Sequence, residues 1–122
     1  MNYTYEQRTG RFLGPDGALM WTGYSGLHEG KNNPDMENVP GKGPIPRGTW
    51  AIGKMYNSPK VGPIALPLTP VGFDPHGRSA FRIHGDSLSH PGEASDGCII
   101  VSRETRQAIS RGAVKTLVVV RG

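Results

Sequence analysis

The residues able to do chemistry crowd into one stretch, Phe81 to Val101, FRIHGDSLSHPGEASDGCIIV, where the only cysteine stands with two histidines and three acidic residues. Phe81-Arg82-Ile83-His84 reads as a short β run that stops at Gly85, and a polar loop with Pro91 and Gly92 follows. Ser95-Asp96-Gly97-Cys98 then leads into Ile99-Ile100-Val101, a second β-branched run. An imidazole thus ends one strand and a thiol starts the next, so strands lying side by side bring His84 to Cys98. Cysteine attacks as the thiolate, and an imidazole within hydrogen-bond reach lowers the thiol pKa or takes its proton. Gly97 lets the chain turn sharply, a way to aim the backbone N–H groups of Gly97 and Cys98 at a developing oxyanion. The competing reading is an inert buried thiol beside a hydrogen-bonded core histidine, the common fate of a lone cysteine.

The flanking pattern favours chemistry. Ile83-His84-Gly85 and Ser95-Asp96-Gly97-Cys98-Ile99 resemble the signature of the L,D-transpeptidase catalytic domain family: a strand ending in His-Gly, a variable loop, then Ser-His-Gly-Cys and an aliphatic residue. The match departs at Asp96, where most of that family has a second histidine. With Tyr24-Ser25-Gly26 and Gly43-Pro44-Ile45-Pro46-Arg47-Gly48 upstream, the chain looks like the compact antibacterial L,D-transpeptidase effectors delivered by type VI secretion.

The resemblance implies Cys98 as nucleophile and His84 as base, the latter oriented by a backbone carbonyl rather than a carboxylate. Gly85 and Gly97 would support the loop and the oxyanion, and Asp86, Ser95, Asp96 and Tyr24 would shape the loop or touch substrate. For Tyr24 a half-buried packing role competes with substrate contact. No metal and no cofactor is implied. The substrate would be a peptidoglycan stem tetrapeptide, cut between the L-centre of its diamino acid and the terminal D-alanine through a Cys98 thioester. Water would give carboxypeptidase activity, and a free D-amino acid would give exchange. The partners implied are peptidoglycan stem peptides, secretion-machinery components and a periplasmic immunity protein.

The chain that must position these residues has 122 amino acids, the size of a single domain, read here as one unit over 1–122. Eighteen glycines and eleven prolines lie between apolar runs rather than in repeats, as the turns of an all-β fold require. No apolar run approaches the roughly 20 residues of a membrane helix, and MNYTYEQRTGRF lacks the apolar segment of a signal peptide. The expectation is therefore a protein made in the cytoplasm, not inserted in membranes, and injected into the periplasm of a target cell. Its charge of +4 is scattered, and without a recognition helix or a basic stripe with interleaved aromatics nucleic acid is not an expected partner. A single cysteine excludes an intrachain disulfide.

Coarse patterning gives the elements. Gly14-Pro15-Asp16-Gly17 marks an N-terminal hairpin between Arg11-Phe12-Leu13 and Ala18 to Tyr24. Leu27 to Lys42 reads as a long surface loop able to border a cleft. Trp50 and Ile52 share the core face of a strand after Gly43-Pro44-Ile45-Pro46. The prolines between Tyr56 and Pro75 are expected to forbid a central strand, leaving an edge strand over Ile64 to Leu68 at most. Ser102 caps a helix to Arg111 that Gly112 ends, and Val114 to Val120 suits a buried strand. The fold expected is a mainly β domain, a small curved sheet or sandwich with one short helix, which the resemblance also implies. Two rivals to the thiol reading are a zinc peptidase using His84, Asp86, His90, Asp96 and Cys98, and a non-catalytic wall-binding module.

Overall fold

A computed structural model describes residues 1–122. The strands are β1 (Tyr3–Glu6), β2 (Arg11–Leu13), β3 (Leu19–Thr22), β4 (Tyr24–Ser25), β5 (Gly48–Ile52), β6 (Tyr56–Ser58), β7 (Gly62–Pro70), β8 (Arg82–His84), β9 (Ile99–Ile100) and β10 (Thr116–Val120), with one helix, α1 (Arg103–Arg111), between the last two. The molecule is mainly β, as its composition led us to expect.

The strand order is β3-β2-β1-β10-β5-β7-β8-β9-β4, with β6 pairing outside this path onto β7. Its two end strands, β3 and β4, are separated in sequence by Gly23 alone, so the sheet curls until its edges meet. Glycine is required at that seam, because a Cβ on Gly23 would lie 1.8 Å from the Ile100 carbonyl oxygen. Curling brings β4 against β9 and closes the chain around the Cys98 segment.

Alternation builds the core. Tyr3 and Tyr5 of β1, Phe12 of β2, Trp50 and Ile52 of β5, and Leu117 and Val119 of β10 are buried while their strand neighbours are not. The hairpin turn forms as read, with Gly17 at φ +84° and the Asp16 carboxylate accepting the Ala18 N–H. Helix α1 starts where its cap predicts: Ser102 Oγ accepts the Thr105 N–H, and Gly112 ends the helix. Leu27 to Lys42 is not structureless, since 3₁₀ turns form over His28–Gly30 and Pro34–Met36.

The expectation for the proline-rich segment fails. β7 is a central strand nine residues long, flanked by β5 and β8. Pro67 and Pro70 fall where the ladder needs no N–H. The Pro67 carbonyl points to the β5 side, accepting the Gly53 N–H just past the end of β5, so its missing donor would face a ladder that has already stopped. Pro70 closes β7 opposite Trp50, beyond the residues that pair with β8. No helix is long and apolar enough to cross a membrane.

Candidate active site

Strands β8 and β9 pair in parallel, with Ile83 opposite Ile99 and His84 opposite Ile100. A hairpin would have set Cys98 directly across from His84. The parallel register sets Cys98 beside Arg82 instead and His84 two residues further along, a diagonal of roughly 8 Å between backbones. Ile83 and Ile99 are fully buried in the core, so pleating sends Arg82, His84 and Cys98 to the opposite face. There His84 and Cys98 line one cleft of about 620 Å³, together with Arg82, Gly85, Asp86, Ser95 and Asp96. No hydrogen bond joins the two directly; the Cys98 thiol points to the Ala80 carbonyl at 3.7 Å.

His84 Nδ1 lies 2.9 Å from the Gly85 carbonyl oxygen, which accepts only from a protonated nitrogen, so Nε2 is left as the basic atom. Burial holds the His84 pKa below the ordinary 6.5, against the opposing pull of the Gly85 carbonyl, and the ring is neutral at pH 7. Burial pushes the Cys98 thiol up to about 11, although the Arg82 amide and the charges of Arg82 and Arg78 favour the thiolate. The resting pair is thus thiol and imidazole, not thiolate and imidazolium. A thiol and a neutral imidazole on one face are the starting state that general-base activation requires, in which the proton leaves sulfur as the new bond forms.

The loop before Cys98 is held by polar side chains bonded to distant backbone. Ser95 Oγ donates to the Cys98 carbonyl and accepts the N–H groups of Gly26 and Gly97. Ser25 Oγ donates to the Gly97 carbonyl and accepts the Ile45 N–H, both at 2.9 Å. One expectation is corrected here: the Gly97 N–H is engaged by Ser95 and is not aimed at an oxyanion, whereas the Cys98 N–H donates to no protein group. Gly97 is needed for its φ of +142° and because a Cβ there would lie 2.5 Å from Arg78 Nη2. Gly85 is likewise the slot of a guanidinium, a Cβ falling 2.7 Å from Arg106 Nη2.

Those two arginines carry roles that sequence reading missed. Arg78 donates through Nη1 to the carbonyls of Glu37 and Pro44 and through Nη2 to those of Gly43 and Asp96, while its charge sits over the Phe81 ring. Arg106, buried on α1, donates to the Pro63 and Ile64 carbonyls of β7 and backs Gly85. Glu37 is a third hub: burial raises its pKa, but donors from Gln7, His76 and Arg47 outweigh this and bring it to about 2. The only signals for the arginines were the two glycines that make room for them.

The remaining residues divide. Asp86 lines the cleft but its carboxylate accepts the Tyr24 O–H at 2.6 Å and the N–H groups of Ser87 and Gly92, which folds the loop. Tyr24 does not line the cleft; its O–H donates to Asp86 and accepts the Ala94 N–H, and the Lys31 ammonium lies over its ring. Ser95 borders the cleft as a buried brace. Asp96 is exposed, with its carboxylate free. His90 bonds Ser89, and no three His, Cys, Asp or Glu side chains converge as metal ligands.

Fold and cleft together define a small, mainly β domain with a buried thiol and a neutral imidazole on one face. The comparison with known proteins is more specific. Residues 20–122 match the model of the Tlde1 domain, and the chain belongs to that family, one of type VI secretion effectors. No curated protein and no solved structure matches the chain.

Proposed function

We propose that the protein is an antibacterial effector that edits the wall of a target cell as a cysteine-dependent L,D-carboxypeptidase and L,D-transpeptidase. The observation that supports the reading is the shared cleft of Cys98 and His84, with His84 Nδ1 held by the Gly85 carbonyl and Nε2 left as the basic atom. Membership in a family of secreted effectors supports the same reading.

In the reaction proposed, the Cys98 sulfur attacks the carbonyl of the L-centre of the diamino acid in a stem tetrapeptide, and its proton passes to His84 Nε2. The free Cys98 N–H donates to the oxyanion. Collapse expels D-alanine, whose nitrogen takes the proton back from His84, and leaves a thioester on Cys98. Water or the amine of a free D-amino acid then attacks that thioester, again giving a proton to His84, and the thiol is restored. The site of action is the periplasm of the target, reached by injection, and the producer is guarded by a periplasmic immunity protein.

Purified peptidoglycan incubated with the protein tests this. Mass spectrometry should show tetrapeptide stems becoming tripeptide stems, and exchanged stems when another D-amino acid is added. An unchanged muropeptide profile at high protein concentration contradicts it.

A further inference from the structure

A second cavity of about 340 Å³ opens on the other side of Cys98, bounded by Arg78, Ser79, Ala80 and Gly97. Lys60, Arg82, Asp96 and Cys98 line both cavities, so the sulfur stands at their junction. The two sides carry opposite charge. The larger one holds Asp86, Glu93 and Asp96 against Lys60 and Arg82, while the smaller holds Lys60, Arg78 and Arg82 against Asp96 alone.

The cations of the smaller side are not equivalent. Arg78 has its two terminal nitrogens committed to four carbonyls. Neither Lys60 Nζ nor the Arg82 guanidinium donates to any protein group, and neither is within 4.0 Å of a carboxylate. The parallel register puts the Arg82 backbone beside Cys98 and its side chain on the same face, and both residues line both cavities. Two unpaired cations beside a nucleophile, lining the cavity on either side of it, suit a carboxylate.

The geometry points to Lys60 and Arg82 as the pair that recognises the free terminal carboxylate of the residue leaving Cys98, and of an amino-acid acceptor that enters in its place. This rests on the thioester reading above and adds a direction to it. The leaving residue lies in the small cationic cavity, and the stem, with the free amine of its diamino acid, lies in the larger acidic one.

The test compares a stem tetrapeptide ending in D-alanine with the same peptide ending in D-alaninamide. Wild type should favour the acid by about ten- to a hundredfold in kcat/KM, the range of a charge-assisted bond. Arg82→Met and Lys60→Met should each bring that ratio towards one, whereas a merely structural loss lowers both substrates alike and keeps it. Lys60 is exposed, so its variant remains informative if the other misfolds. Binding of N-acetyl-D-alanine and its amide to the Cys98→Ala protein, followed by amide chemical shifts, reads the same site without turnover. Carboxylate-dependent binding lost in Arg82→Met supports the inference even if no peptide is cut, in which case the thioester reading alone fails. Equal cleavage of acid and amide, or equal binding of the two small ligands, overturns it.

Discussion

The two halves of the strand order are held by different forces. From β3 to β5 the strands run three to five residues, pair along their length and bury Tyr3, Tyr5, Phe12, Leu117 and Val119 in one apolar layer. From β8 to β4 they shrink to two or three residues; Ile83 and Ile99 join the same core, and side chains bonded to remote backbone add further bracing: Ser25 to Gly97, Ser95 to Gly26, Arg78 to Gly43, Pro44 and Asp96. Apolar burial is non-directional and gives stability, whereas a hydrogen bond fixes an angle and a distance. Apolar burial dominates the first half, and in the second it is joined by directional polar bracing around Cys98 and His84.

The largest expected effects fall in opposite halves. Phe12→Ala, a fully buried ring packed on Tyr3 and Tyr5, should lower stability by about 3 to 5 kcal/mol in denaturant titration and leave the specific activity of the folded fraction intact. His84→Ala should do the reverse, lowering kcat roughly 10²- to 10⁴-fold with a small change in melting temperature. If both variants lose stability and activity in parallel, the division is wrong.

Ser95→Ala sharpens the comparison at an intermediate magnitude. It removes one oxygen that serves the Gly26 and Gly97 N–H groups and the Cys98 carbonyl, leaving three backbone groups without partners. The loop should relax to hydrate them and carry Cys98 off its line, at a loss of roughly ten- to a hundredfold in kcat. Its loss of stability should stay below that of Phe12→Ala. Unchanged kcat would make Ser95 a passive filler.

The smallest effect expected is a position on the pH axis. Activity needs His84 neutral before attack and Cys98 protonated, so kcat/KM rises as His84 loses its proton and falls as the thiol ionises. Burial lowers the first pKa below 6.5 and raises the second to about 11, so the acid limb should have its midpoint below 6.5 and the profile should stay flat through neutrality. A midpoint above 6.5 would indicate an exposed, charged-partnered imidazole and contradict the buried neutral pair.

How much of this the sequence revealed follows the same division. Alternation in Val114 to Val120, the Pro-Asp-Gly turn and the Ser102 cap are local signals, and each produced its element. His84 and Cys98 were legible because their residue types are rare and their flanks distinctive. The central place of β7 was not, since whether a proline breaks a ladder depends on which way its missing N–H faces, a fact of the neighbouring strands. Nor was the parallel register of β8 and β9, which replaced a hairpin-like meeting of His84 and Cys98 by a diagonal one. Arg78 was the least legible, because it binds carbonyls between 18 and 41 positions away and a carbonyl leaves no mark on residue identity.

The central claim is that Cys98 carries the acyl group, and intact-protein mass spectrometry after rapid acid quenching tests it most directly. Wild-type protein mixed with a stem tetrapeptide should gain the mass of the peptide less D-alanine, on the tryptic fragment containing Cys98, and the folded Cys98→Ala protein should show neither the adduct nor D-alanine release. Undiminished D-alanine release by Cys98→Ala would contradict the account.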